Sequence, residues 1–196
     1  MLRCMRLPGR ATTPALSTLY TRLQGDFDGP IGEVLEVEDR FISCALGEAP
    51  QTNEVGRSAS IAAALMVARK EFGLPFELLE IGASCGLNLN LGRYAFELGD
   101  TLAGMTDSSV HIAPRWRGPT VPWAAIDVVA ARGTDINPLR VDDETSRERL
   151  LSYVWADQPQ RARRLEKALA MAQSFQPRVD RHAALKWLPE QLKVSE

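Results

Sequence analysis

Residues 77–90 read ELLEIGASCGLNLN, and the fold turns on this stretch. Phe76–Ile81 is a short apolar run with the length of a buried strand. Gly82 breaks it, and residues 87–91 begin a helix. A strand, a glycine turn and a helix form a unit that holds ligands in α/β proteins, because the turn lies at the carboxyl edge of the sheet. Glycines let a ligand approach the backbone, and a helix start offers free N–H groups.

Outward from this point, strands alternate with helices. Upstream, Ile61, Leu65, Ala68 and Phe72 recur on one face of a helix over Ser58–Phe72. Ser58 is its expected N-cap, and Gly73 and Pro75 are its stop. Earlier still, residues 14–23 and 31–46 each suggest a helix. Downstream, residues 94–98 predict a short strand and residues 99–122 a loop-rich segment. Residues 126–131 are apolar and β-branched, so a second main strand, ended by the turn residues GTDINP. Thr145–Glu148 matches a capping box opening a helix through Trp155. Pro159 opens another, with Leu165, Ala168, Leu169 and Ala172 on one face. Residues 178–180 suggest a third strand, and residues 182–192 a last helix interrupted near Pro189. The alternation argues for an α/β domain with a parallel sheet. The expected division is a helical or irregular segment over residues 1–57 and a main domain over 58–196, with an insertion at about 94–125.

Composition narrows the classes of function. The chain has 196 residues, 45% hydrophobic and 24% charged, with a formal net charge of −2. That balance suits one globular core and gives no global attraction to nucleic acid or to anionic membrane. No apolar run reaches the roughly 18 residues needed to span a bilayer. The three cysteines, Cys4, Cys44 and Cys85, form no CxxC pair. They suggest a reducing cytoplasm, with neither a disulfide frame nor a zinc site. His111 and His182 lie far apart with no ligand spacing around them, so no metal site is expected.

Three readings of the glycine turn compete. In the first, it holds a nucleoside cofactor. Glu80 is an acid at the strand end, and Gly82 and Gly86 bracket the turn. A dinucleotide site wants G-x-G-x-x-G, but Ser84 stands where the second glycine belongs. S-adenosylmethionine has no phosphate and asks less of the loop. Glu80 would then face its cationic methionine end, directly or through water. Asp135, in GTDINP, ends the second strand, where an acid takes the ribose hydroxyls. The usual separation is about 20 residues; here it is longer, which the insertion accounts for. In the second reading, Gly82-Ala83-Ser84-Cys85-Gly86 is a G-x-S-x-G nucleophile elbow. Against it stand Glu80 in the strand end, no oxyanion motif upstream and no histidine in a recognisable setting. Cys85 as nucleophile is weaker still, since a cysteine at a crowded turn is usually a small apolar residue. In the third, the turn is only a corner of the fold.

The segments QTNEVGRSA, FELLEIGASCGLNLN, RWRGP, RGTDINPL and RLLSYVWADQPQRARRLEKAL together resemble an uncharacterised bacterial family, catalogued only as a domain of unknown function. The resemblance runs over about residues 50–192. The family itself resembles divergent class I methyltransferases, so it implies a Rossmann-like three-layer sandwich. It also implies S-adenosylmethionine as cofactor, and methyl transfer to an unknown small-molecule or protein substrate. Carried over by motif, Glu80, Gly82, Ala83, Ser84 and Gly86 form the methionine-side loop, Asn88 lines it and Asp135 holds the ribose. Family members carry an acid before the WL of the last helix; here the sequence is RHAALKWL, so an adenine contact there is not expected. The family also continues past that helix. A doubly wound sheet runs in the order 3-2-1-4-5-6, and only strands 1, 2 and 3 are counted here. The expectation is a shortened relative or a fragment, with strand 1 an exposed edge. An oligomeric neighbour or another partner would cover that edge; a non-enzymatic interaction protein is therefore the competing function.

Other features invite blander readings. Arg161, Arg163, Arg164 and Lys167 make a basic helical face, expected to be solvated. Trp116 between two arginines is expected to pin its loop to the core, and Tyr153 and Trp155 to pack.

Overall fold

A computed structural model of the chain describes Pro14, Thr18, residues 26–155 and residues 157–193. The helix expected over residues 14–23 lies outside the described residues except at Pro14 and Thr18, both helical.

The helix expected over residues 31–46 is two helices, α1 (Asp28–Val37) and α2 (Asp39–Leu46), broken at Glu38. A 3-10 turn, Val55–Arg57, leads directly into α3 (Ser58–Phe72). Ser58 is therefore not an N-cap. Its hydroxyl donates to the Val55 carbonyl at 2.6 Å, and Glu54 caps the turn by accepting from the Gly56 N–H. The buried face of α3 is Ala59, Ala62, Ala63 and Met66, while Phe72 is exposed. The larger side chains predicted a different face. Alanines let a helix approach its neighbours closely, and here packing distance outweighs side-chain size.

The main sheet is parallel, in the order β1 (Phe76–Ile81), β5 (Val128–Asp135), β6 (Val179–Arg181). Between β1 and β5 the chain builds a second sheet. In it, β2 (Ala95–Leu98) pairs antiparallel with β3 (Thr101–Gly104) and parallel with β4 (His111–Ile112). The segment expected to be mostly loop thus carries strands of its own. Tyr94, Phe96, Leu98, Val110, Ile112 and Val121 place it in the core. Trp116 lies half-buried against Gly99, and its indole N–H donates to the Pro119 carbonyl at 3.0 Å, so it does pin the loop.

After β5, α4 (Glu144–Ser152) starts at Asp143, whose carboxylate accepts from the Ser146 N–H at 2.8 Å and hydroxyl at 2.6 Å. The capping box read at Thr145 is displaced to this acid, and the helix stops short of Trp155, which is exposed. Next, α5 (Pro159–Ser174) opens on Pro159 and buries Leu165, Ala168, Leu169 and Ala172 as its spacing predicts, together with Ala162. Its basic face is not merely solvated: Arg161 and Arg164 both pair with Glu54, the latter at 3.0 Å. The last helix, α6 (Ala184–Gln191), keeps Pro189 inside it. Its Trp187 is buried and donates to Asp180 at 2.8 Å.

The result is a mixed α/β architecture with a parallel sheet whose edge strands among the described residues are β1 and β6. Among the described residues no helix is long and apolar enough to cross a membrane.

Candidate ligand site at the carboxyl edge of the sheet

The turn after β1 crosses the face of the sheet. The Ala83 N–H donates to the Thr134 carbonyl at 3.0 Å, extending the β1–β5 ladder by one rung. At the crossing a Cβ on Gly133 would lie 2.6 Å from the Ala83 Cβ, so β5 needs glycine there. Three residues of the turn have positive φ: Gly82 at 67°, Ser84 at 55° and Gly86 at 76°. Ser84 is the one non-glycine residue with positive φ among the described residues. Such backbone costs about 1–2 kcal/mol for a side-chain-bearing residue, so the surroundings must hold it.

They do so from two directions. The Ser84 N–H donates to Asp135 Oδ2 at 2.8 Å, and its hydroxyl donates to Gln51 Oε1 at 2.9 Å. Asp135 Oδ1 accepts from the Asn137 N–H at 2.9 Å, and Gln51 Nε2 donates to the Asn137 carbonyl at 2.7 Å. The turns after β1 and β5 are thereby laced together, with Asp135 at the centre. Arg181, at the end of β6, donates to Asn137 Oδ1 at 3.2 Å. Ile136 beside it is exposed.

The two glycines differ. A Cβ on Gly82 would meet nothing within 4 Å, so the backbone there is open to approach. A Cβ on Gly86 would lie 2.6 Å from Pro177 Cβ and 2.8 Å from Val179 Cγ2, so packing against β6 accounts for that glycine.

Beneath the turn, residues 87–93 wind as a 3-10 helix rather than an α-helix. Leu87, Asn88, Leu89, Asn90 and Leu91 are all buried. Polar and apolar side chains alternate along it, and the two buried asparagines find hydrogen-bond partners. Asn90 donates to the Phe175 carbonyl at 2.9 Å, holding the end of α5. Asn88 donates to Glu80 Oε1 at 2.9 Å. Glu80 therefore points under the turn, and its carboxyl pKa is raised, chiefly by burial, against the lowering effects of the Asn88 bond and the Arg57 charge. Cys85 is buried and its thiol is pushed up to about 12, again by burial first. It receives an Asn53 N–H at 3.7 Å, while Asn53 also donates to the Ala83 carbonyl at 2.9 Å.

Of the expected residues, Ser84 and Asp135 meet directly, Glu80 and Asn88 meet directly, and Gly82 and Ala83 join the two pairs. Gln51, Asn53 and Arg57 were not singled out from the sequence. Their one signal is the segment QTNEVGRSA, which carries all three. The Ser84 hydroxyl donates to a neutral amide that has no basic site for its proton, so the elbow reading finds no general base at that hydroxyl. Among the described residues no group of three or more His, Cys, Asp or Glu side chains is placed to hold a metal ion.

These features define an α/β protein with a strained, laced turn at the carboxyl edge of a parallel sheet. The chain belongs to the family described as "Uncharacterized protein conserved in bacteria (DUF2332)", whose model matches residues 4–196. That match reaches further toward the N-terminus than the motifs did. No curated protein and no solved structure matches the chain significantly.

Proposed function

We propose that this chain is a binding domain for S-adenosylmethionine, with the ligand lying across the carboxyl ends of β1 and β5. The observation that carries the reading is the Asp135 carboxylate, bonded to the backbone N–H groups of both Ser84 and Asn137. A turn whose N–H already serves a carboxylate has no seat for a pyrophosphate, which disfavours dinucleotides. A cofactor without phosphate needs no such seat. A carboxylate offers about four lone-pair sites, so Asp135 retains capacity for ribose hydroxyls. Gly82 gives open backbone beside it, and exposed Ile136 offers an apolar surface for a planar base. The parallel order β1-β5-β6 supports a Rossmann-like half, since strands 1, 2 and 3 of a doubly wound sheet are neighbours in that order. Glu80 is the acid assigned to the cationic end of the ligand.

Methyl transfer is the reaction class the family resemblance suggests. It needs proximity and in-line geometry more than a base, so no catalytic base is assigned. A second reading, docking of a partner strand on β1, is favoured by its position at the sheet edge and by exposed Phe72, Leu74 and Ile81 at its two ends.

Calorimetric titration with S-adenosylhomocysteine tests the first reading. Saturable binding is expected, weakened roughly ten- to a hundredfold in Asp135→Asn by loss of charge-assisted hydrogen bonds of about 1.5–3 kcal/mol. A folded chain that takes up no ligand would overturn it.

A further inference from the structure

Glu80 and Asn88 pose a problem of hydrogen-bond accounting. Asn88 Nδ2 donates to Glu80 Oε1 at 2.9 Å, which satisfies one oxygen of the carboxyl group. The other oxygen, Glu80 Oε2, is shut off from solvent and has no partner. Asn88 Oδ1 is in the same state, on a side chain only 7% exposed. Both orphaned atoms are acceptors, and they belong to two planar groups already joined by one bond. Leaving a buried acceptor unpaired is unfavourable, and more so for a charged group. One proton answers both. A neutral carboxyl group carries an O–H that donates, and an amide beside it is its natural acceptor.

We propose that in the free protein Glu80 is a neutral acid, doubly bonded to Asn88, with Oε2–H donating to Asn88 Oδ1 while Asn88 Nδ2–H donates to Oε1. The ring so formed leaves neither side chain with an unpaired buried acceptor. It rests on the proposed ligand site for its second half: a ligand's ammonium group takes the place of the proton. The balance is simple. Glu80–COOH loses H⁺ to solvent, and the carboxylate then faces the incoming cation, so the site exchanges one positive charge for another. This device admits ligands bearing a cationic amine and offers an anion nothing.

The surroundings fit a neutral group. Burial is the largest influence on the Glu80 carboxyl and favours its protonated form. Arg57, from the 3-10 turn before α3, opposes it as the last of three influences. Cys85 and Tyr94 face the same interior, and burial pushes both toward their neutral forms. Asn53 brings a further buried acceptor, Oδ1, that has no donor. Arg57, the cation whose charge acts on Glu80, is itself exposed.

The test needs no ligand at first. Side-chain carboxyl carbons are followed by NMR against pH in the wild-type chain, with Glu80 assigned by its loss in Glu80→Gln. The expected titration midpoint lies above the ordinary glutamate range. A midpoint inside that range overturns the proposal, whatever the chain binds. Glu80→Gln, which keeps the shape of the neutral acid, is also expected to melt with a weaker loss of stability as pH rises. Titration with S-adenosylhomocysteine in two buffers of different ionisation enthalpy then separates the two claims. Binding with release of a proton supports both. Binding without proton release overturns the exchange and leaves the ligand reading standing. A raised midpoint with no binding keeps Glu80 neutral and removes the ligand.

Discussion

Ser84 adopts left-handed backbone and is held there by Asp135 and Gln51. Strain kept in this way tends to cluster at functional sites, and the flanking glycines show which part of the turn serves which purpose. Gly86→Ala meets both a φ of 76° and the Pro177 and Val179 side chains at 2.6 and 2.8 Å. It is expected to cost about 2–4 kcal/mol of stability in denaturant unfolding. Gly82→Ala meets only its φ of 67°; it is expected to cost about 1–2 kcal/mol and to weaken ligand binding. Glu80 adds a pH dependence with a definite sign. Burial raises its folded pKa above the ordinary glutamate range, so its contribution to stability is fully present below the unfolded pKa and is lost as pH rises through the folded pKa. Thermal melts of the wild type and Glu80→Gln should converge in acid and separate as pH rises. From the sequence, the acids and glycines of the turn were legible because residue type alone suggests their use. Gln51 and Asn53 were not, because an amide that laces two loops shows no periodicity and no charge.

Among the elements, α4 and α3 show how local rules shift by a residue or a face. The capping signal before α4 was real, but the side chain that fills it is Asp143, not Thr145. Asp143→Ala is expected to cost about 1 kcal/mol, and Thr145→Ala to stay within about 0.5 kcal/mol, as read by denaturant unfolding. Spacing found α5 because its buried residues are periodic and its start is a proline. On α3 it brought Ile61 and Leu65 to the core but passed over the buried Ala59, Ala62 and Ala63, because alanine carries little weight in a hydrophobic pattern yet allows the closest approach. The strands β3 and β4 escaped notice because they are very short and lie among glycines and prolines, where turn signals dominate.

At the scale of the molecule, the parallel order β1-β5-β6 leaves β1 with one unpaired side among the described residues. Such an edge offers free N–H and C=O groups to another strand, and Leu74 stands exposed at its entrance. The purified chain is expected to associate with rising concentration in analytical ultracentrifugation, and Leu74→Lys to shift it toward monomer. A monomer at every concentration would remove the partner-docking reading. Alternation of strands and helices disclosed the α/β class and the parallel sheet, and the edge position of β1 was expected from the doubly wound order implied by the family resemblance. In the second sheet, the Gly99-Asp100 turn joining β2 to β3 is a local hairpin signal that the loop-rich reading of residues 99–122 passed over, while the parallel pairing of β2 with β4 spans a longer stretch of chain.

The central claim is that the ends of β1 and β5 form one ligand site. The most direct measurement is a backbone amide NMR map of the chain during titration with S-adenosylhomocysteine. The account predicts shifts concentrated at Gly82, Ala83, Ser84, Asp135 and Ile136. A folded chain with no shifts, or with shifts only away from these two turns, would contradict it.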